Sequence, residues 1–209
     1  MPELNQELIE AFKAKAALVS ATVVEKQSLS EALQYAVDVC EAKAPAQLLA
    51  NENCEKGPLG PLGCPTRVTK LIAAPSLSEE DFAALNGLCE GKQIACIKDG
   101  LRDHLAGIDV GLSFAELGVA ASGTCMAITD NEDVRLSGMV AEIHMLILKK
   151  STIYPDLPSI AQFLRERMAD GKRSYTTLIT GPSRTADIER VSAIGVHGPL
   201  ELHIILLEG

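Results

Sequence analysis

Short, continuous apolar segments constrain the fold of this chain most. They read LIAA from Leu71, IACI from Ile94, IHMLIL from Ile143 and HIILL from His203. A strand with one exposed face alternates apolar and polar residues, so uninterrupted apolar runs are typical of strands buried on both faces. Helical patterns separate several of these runs, which indicates βαβ units. The chain is therefore predicted to form an α/β domain with a mostly parallel sheet covered by helices on both faces.

The predicted elements follow the chain in a regular order. Strands are expected at residues 69–73, 93–97, 109–113, 119–128 with a break at Gly123, 142–148, 176–180 and 202–207. Helices are expected at residues 78–90, 99–105 and 159–169, with a single helical turn at 114–117.

The first 50 residues carry two helical patterns before any predicted strand. Apolar residues at helical spacing favour an amphipathic helix over residues 3–25. Ser28 and Glu31 form a capping box that begins a second helix, which runs to about residue 43. We therefore expect a helical lead-in (1–50) peripheral to the sheet, a Gly/Pro-rich loop (51–66) and an α/β domain (67–209).

The charge of the chain argues against nucleic acid as a partner. The 209 residues include 19 Lys and Arg against 28 Asp and Glu, a formal net charge of −9. Such a chain repels a phosphate backbone, and four Phe, three Tyr and no Trp supply few rings for base stacking. Residues 149–209 have a net charge of +1, so a small anion meets least repulsion there.

The sequence predicts a cytoplasmic protein without membrane insertion, metal or cofactor. The N-terminal residues lack the basic and apolar segments of a secretory signal, and the most apolar stretch, residues 110–128, is interrupted by three glycines. None of the six cysteines forms the C-x-x-C spacing that holds zinc or an iron–sulfur cluster. Reduced thiols are expected, with Cys54 and Cys64 beside the Gly/Pro-rich loop as the candidates for exposed ones.

Two loops after predicted strands are candidate ligand sites, since open α/β sheets bind ligands beyond the carboxyl ends of their strands. The first contains Ser122, Gly123 and Thr124. Its small residues allow backbone N–H groups to approach a ligand, and its hydroxyls add donors. Tight packing of the strands is the alternative explanation.

The second loop, residues 180–189, supplies a candidate anion site. Arg184 offers a planar fork for a carboxylate or phosphate. The alternative is that Arg184 pairs with Asp187 or Glu189 and holds the loop in shape. The candidate contacts of this loop are Gly181, Ser183, Arg184, Thr185 and Asp187.

Histidines add one candidate to this set. His197 lies in a Gly/Pro turn and could reach a neighbouring loop. We expect His104, His144 and His203 to be structural. The sequence carries no signature of a Ser-His-Asp or Cys-His nucleophile.

Several segments together resemble the LUD-domain family, and within it lactate utilisation protein C. The strongest are ITGPSRTADIE (179–189), GVHGP (195–199) and ELHIILL (201–207). DVGLS (109–113) and GVAASGT (118–124) fall where that family has D-x-G-x-T and A-E/D-T-G-T, and EIH (142–144) falls where it has a strand ending in His. The resemblance covers roughly residues 66–209.

This resemblance implies a three-layer α/β/α sandwich similar to the phosphosugar-isomerase and CoA-transferase superfamily. It also implies a cytosolic role in oxidising L-lactate to pyruvate beside iron–sulfur partner proteins, which carry the clusters. Ala121 stands where the family has an acidic residue, and Ser122 stands where it has Thr. Glu116 is the nearest substitute carboxylate.

Three functions stay open at this point. The chain is a subunit of a lactate-oxidising system that binds a small anion or a partner, a stand-alone isomerase- or CoA-transferase-like enzyme acting on a phosphorylated or acyl substrate, or an assembly factor without a ligand. A CoA-transferase needs a nucleophilic Glu at a loop tip, and none is evident in the sequence. The first function is therefore favoured.

Overall fold

Helices and strands alternate through the computed structural model, which describes residues 6–169, 171, 175–185, 193–194 and 198–208. The helices are α1 (Gln6–Leu18), α2 (Leu29–Ala42), α3 (Glu79–Cys89), α4 (Glu132–Val140) and α5 (Ala161–Ala169). Short 3-10 turns lie at Leu101–His104, Lys150–Thr152 and Pro158–Ile160. The strands are β1 (Ala21–Lys26), β2 (Lys56–Leu59), β3 (Pro65–Arg67), β4 (Lys70–Ala73), β5 (Ile94–Ile97), β6 (Ile108–Phe114), β7 (Leu117–Val119), β8 (Thr124–Thr129), β9 (Ala141–Lys149), β10 (Ile153–Tyr154), β11 (Tyr175–Ile179), β12 (Arg184–Thr185), β13 (Ala193–Ile194) and β14 (Glu201–Leu207).

A central sheet of six strands organises the molecule. Its order is β1-β14-β9-β6-β4-β5, and every neighbouring pair is parallel. Along β9, Ile143, Met145 and Ile147 pack with α2 and α3 on one face, whereas Leu146 and Leu148 pack with α1 on the other. The predicted parallel sheet with helices on both faces is confirmed, and burial of both faces explains the continuous apolar runs.

A smaller sheet of order β10-β7-β8-β11 covers part of the same face as α1. It is antiparallel except for the β10–β7 pair. Two predictions are wrong here. The helical turn expected at 114–117 is the end of β6 and the start of β7, and the interrupted strand expected at 119–128 is a hairpin of β7 and β8.

The first 50 residues belong to the body of the fold. The helix predicted over residues 3–25 ends at Leu18, Ser20 adopts a left-handed φ of 65°, and the chain continues as β1. The β-branched run in ATVVEK favours that strand. Ile9 and Phe12 of α1 are buried against the sheet, so the expectation that the N-terminal helices are peripheral is wrong. The division into a lead-in and a separately folding domain over 67–209 stays a prediction.

Capping residues begin the helices as the sequence indicates. The Ser28 hydroxyl accepts a hydrogen bond from the Glu31 backbone N–H at 3.2 Å, and Ser78 caps α3 in the same way. The helix α4 was not predicted, although Asn131 caps it. The loop predicted at 51–66 contains the small antiparallel hairpin of β2 and β3.

Candidate functional site

A cavity of about 250 Å³ opens between the central sheet and the smaller sheet. Ser113 of β6 and His144 of β9 lie at its base, and only 2% and 3% of these residues are exposed. Helix α4 forms one side, and the antiparallel strands β8 and β11 form the other. At roughly 30 Å³ for each water, the cavity has room for one small organic molecule.

The Ser113 hydroxyl and the His144 ring form a buried pair. The Oγ atom lies 2.9 Å from Nε2. Burial lowers the pKa of His144 to about 4, so the ring is neutral at pH 7 and donates at one nitrogen while it accepts at the other. The absence of a side chain at Gly138 makes room for the ring, since a Cβ there would lie 2.8 Å from Cε1. No carboxylate of the described chain bonds this imidazole, so these residues do not form a Ser-His-Asp triad.

Arg135 is the only charged side chain among the described residues that line the cavity. Its guanidinium lies 5.4 Å from the centre of the Tyr175 ring, and Nη1 donates to the Asp130 carbonyl at 3.1 Å. The neighbouring carboxylate of Glu132 is held by two hydrogen bonds from Arg102, at 2.6 and 2.7 Å. Within the described ranges no carboxylate lies within 4.0 Å of Arg135, so its remaining N–H groups can bind an anion.

The rest of the lining is apolar or hydroxyl-bearing. Thr129 and Thr177 contribute hydroxyls from the two antiparallel strands. The apolar part of the lining consists of Ala127, Val134, Met139, Ile179, Pro182, Pro199 and Leu202. A cation beside apolar walls and a few hydroxyls suits a small organic anion better than a bare metal ion or a polyanion.

The first predicted ligand loop lies in the turn between β7 and β8. The hydroxyl of Thr124 lies 2.7 Å from that of Ser122 and 2.8 Å from that of Thr180, where the second predicted loop starts. The fold thus brings the two loops together. Gly123 packs so closely on α1 that a Cβ would lie 2.3 Å from the Ala16 backbone nitrogen. Packing explains this glycine, and a ligand role for Ser122, Gly123 and Thr124 stays a prediction.

The second predicted loop does not lie at the carboxyl edge of the central sheet. The Ser183 N–H donates to the Pro199 carbonyl at 3.0 Å, and Arg184 Nη2 donates to the Ser20 hydroxyl at 2.6 Å. Ser20 and Pro199 precede β1 and β14, so the loop lies where the strands of the central sheet begin. The predicted position at the carboxyl edge is wrong, because the preceding strand β11 belongs to the smaller antiparallel sheet.

The structure describes only some of the other residues that were predicted to bind an anion with Arg184. Gly181 lines the cavity, and Thr185 lies in β12, which pairs with β13. Asp187 and His197 fall outside the described residues. Anion binding by Ser183, Arg184 and their neighbours stays a prediction.

Sequence reasoning missed the cavity residues as a group, although two motifs pointed to them. DVGLS supplies Ser113 and EIH supplies His144, and Gly111 pairs with His144 in the register of β6 and β9. The same motif supplies Asp109, whose buried carboxylate accepts hydrogen bonds from Lys43 Nζ at 2.7 Å and from the Leu71 N–H at 2.8 Å. Asp109 therefore links the end of α2 to β4 through these hydrogen bonds and does not line the cavity.

Ala121, which stands where the family has an acidic residue, and Glu116, the nearest substitute carboxylate, both lie outside the cavity lining. Glu116 is exposed between β6 and β7 and is not part of the cavity lining. Ala121 is exposed in the hairpin turn, where its N–H donates to the Pro155 carbonyl at 2.9 Å. Glu116 thus does not replace the acidic residue within the described cavity.

The described ranges contain no group of three or more His, Cys, Asp or Glu side chains arranged to hold a metal ion. No helix in that part of the chain combines the length and the apolar character needed to cross a bilayer. All six cysteines are free thiols.

Known proteins resemble this chain over different lengths. The Escherichia coli K12 protein YkgG is 27% identical over 211 residues, which span 100% of this chain and 83% of that protein. Lactate utilization protein C of Bacillus subtilis 168 is 34% identical over 101 residues, 47% of this chain and 42% of that protein. The same protein of Halalkalibacterium halodurans is 34% identical over 102 residues, 48% and 44% of the two chains. These last two alignments cover about half of this chain and less than half of each relative.

A solved structure and a family model each match almost the whole length of this chain. The crystal structure of a DUF162 family protein from Deinococcus radiodurans superposes with a TM-score of 0.55 over 96% of both chains, at 14% identity, and therefore shares the fold. The LUD domain model matches residues 9–207, which include most of α1, the central sheet and the cavity. The chain therefore belongs to the LUD-domain family.

Proposed function

We propose that the protein takes part in lactate utilisation and that the cavity above Ser113 and His144 binds a small monocarboxylate, L-lactate or its product pyruvate. The relatives named lactate utilization protein C support the first part. The observation that carries the second is Arg135, the single charged group among the described lining residues. A lone guanidinium in an otherwise uncharged cavity favours one small anion over neutral or cationic ligands.

The lining complements the three groups of lactate. The planar fork of Arg135 fits a carboxylate. Ser113 and the neutral His144 ring can bond a 2-hydroxyl or a 2-keto oxygen, because each can donate or accept. Apolar side chains such as Ala127 and Ile179 suit the methyl group. Electron transfer belongs, in this proposal, to iron–sulfur partner proteins in the cytosol, which the family resemblance implies.

A stand-alone CoA-transferase or isomerase has less support. The described lining contains no carboxylate to serve as a nucleophile or general base. Glu116 lies outside the cavity, and a phosphorylated substrate would meet only one cation there. We therefore do not propose this activity.

Calorimetric titration of the purified protein with L-lactate, pyruvate and inorganic phosphate tests the proposal. Arg135→Lys keeps the charge and removes the fork, so we expect the lactate dissociation constant to rise about tenfold, in line with the loss of one charge-assisted hydrogen bond. Arg165→Lys is the matched control, since Arg165 is an exposed arginine of α5 that does not line the cavity. It should leave binding unchanged.

A third variant separates the cavity from the loop proposed from sequence. Arg184→Lys alters the arginine that contacts Ser20. If lactate binding weakens in Arg184→Lys and not in Arg135→Lys, the cavity is not the site. Binding of phosphate alone, without lactate or pyruvate, would contradict the proposed ligand class.

A further inference from the structure

Two cysteines bring their sulfur atoms into contact at the edge of the central sheet. Cys89 is the last residue of α3, and Cys96 is the third residue of the edge strand β5. Their Sγ atoms lie 3.4 Å apart, and the Cys96 thiol donates to the Cys89 sulfur. Because a disulfide bond is about 2.05 Å long, the sulfurs need to approach by only roughly 1.4 Å.

We propose that Cys89 and Cys96 are an oxidative modification site, at which peroxide converts the two thiols to a reversible disulfide. The short connection through Gly91 already holds the end of α3 beside β5. The bond would therefore join neighbouring elements without a change of topology. This site is separate from the cavity and does not depend on the ligand proposed there.

The surroundings of the pair favour reaction at Cys89. The hydrogen bond from Cys96 lowers the pKa of the Cys89 thiol, burial opposes this effect, and the nearby Lys92 lowers the pKa further. Cys96 is partly exposed, so a small oxidant can reach the pair. In contrast, burial raises the pKa values of Cys40 and Cys125 to about 12, which keeps those thiols protonated and unreactive.

The chemistry balances with hydrogen peroxide as the oxidant. The Cys89 thiolate attacks one oxygen of the peroxide, the O–O bond breaks, and Cys89 becomes a sulfenic acid while hydroxide leaves. The Cys96 sulfur then attacks the Cys89 sulfur, the S–S bond forms, and the sulfenic oxygen leaves as water with the Cys96 proton. The two thiols lose two electrons in total, and the peroxide is reduced to two waters once the hydroxide takes up the proton released from Cys89.

Peptide mapping tests the proposal directly, because trypsin can cut after Lys70, Lys92 and Lys98. The full-length protein is reduced, freed of reductant, treated with peroxide, alkylated and digested without reduction. We expect peptide 71–92, which contains Cys89, linked to peptide 93–98, which contains Cys96. Dithiothreitol should separate the two, and the oxidised protein should have a higher Tm that the same treatment reverses.

Three variants supply the controls. The double variant Cys54→Ser/Cys64→Ser should keep the link, since Cys54 precedes β2 and Cys64 lies in the turn between β2 and β3, outside both α3 and β5. Cys96→Ser should lose the link and leave Cys89 as a sulfenic acid that dimedone traps. Cys89→Ser should lose the link as well. If either single variant fails to fold, the wild-type peptide map still decides the question. Alkylation of both peptides after peroxide treatment, or a link from either one to another cysteine, overturns the proposal.

Discussion

Burial of His144 connects the candidate site to the stability of the fold. The ring lies at the base of the cavity with 3% exposure and bonds the Ser113 hydroxyl. Burial lowers its pKa from 6.5 to about 4, because the charged form would lose its hydration. The unfolded chain therefore takes up a proton at a higher pH than the folded chain does. The neutral ring suits both roles proposed for it, since it fits the apolar interior and can bond an uncharged oxygen of a ligand.

We expect the free energy of unfolding to fall as the pH drops from 6.5 to 4, because only the unfolded chain binds the His144 proton in that window. The contribution of the neutral His144 ring to the free energy of unfolding is fully present above pH 6.5. Its loss by pH 4 is on the order of 3 kcal/mol. Denaturant unfolding of the wild type and of His144→Gln over this range measures it. Carboxylates with a lowered pKa, such as Glu52 beside Arg67, change the free energy of unfolding with pH equally in the wild type and the variant. A wild-type-minus-variant difference that does not change with pH would show that His144 is not the titrating group.

At the scale of secondary-structure elements, the contact of α4 with β6 holds one side of the cavity against its base. A Cβ at Gly111 in β6 would lie 1.9 Å from the Ser137 carbonyl oxygen of α4. Real Cβ atoms do not approach backbone oxygen so closely, so any side chain there must displace the helix. The helix carries Arg135 and Gly138, and its displacement would change the cavity as well as the packing.

Gly111→Ala is therefore expected to destabilise the protein by about 3 kcal/mol or more, at the upper end of overpacking effects. Gly87→Ala is the matched control, because Gly87 lies in α3 and its added Cβ would meet no atom within 4 Å beyond the helix backbone and its chain neighbours. That change should be neutral or stabilising by up to about 1 kcal/mol, since alanine favours helix. Thermal and urea unfolding of both variants measure the difference. Equal stability of the two variants would contradict the close contact of α4 with β6.

The elements that sequence could predict are those whose patterns follow from burial alone. The strands β9 and β14 are mostly apolar because both faces of the sheet are covered. Strand β1 was missed because nothing in the apolar spacing marks the left-handed Ser20 that ends α1. The cavity was missed because Arg135 and His144 come from different elements and meet only in the folded chain. The edge at which Arg184 lies depends on which sheet β11 joins, and no local pattern specifies that.

At the scale of the whole molecule, the first and last described strands lie side by side. Strand β1 pairs in parallel with β14 from Ala21 opposite Leu202 to Lys26 opposite Leu207. Phe12 of α1 is buried on one face of the sheet, and Val37 of α2 is buried on the other. The N-terminal quarter thus supplies a strand and apolar cover to both faces, although an exposed loop separates it in sequence from the remaining strands.

We therefore expect a chain cut in the hairpin of β2 and β3 to remain a single folded particle. Leu62 is 70% exposed and Gly63 has open space around it, so a site for a specific protease inserted between them should be tolerated. After cleavage, pieces 1–62 and 63–209 should elute together in gel filtration and separate only in denaturant. The uncut insertion variant, with the same Tm as the wild type, is the control for the insertion itself.

Piece 63–209 expressed alone is the decisive comparison. Without β1 it leaves the edge of β14 unpaired, and without α1 and α2 it exposes apolar side chains on both faces of the sheet, so we expect it to aggregate. Circular dichroism and light scattering measure this. A monomeric, cooperatively unfolding piece would contradict the expectation and would support the division of the chain at residues 51–66. Rescue of the piece by added 1–62 would show instead that the N-terminal segment completes the sheet.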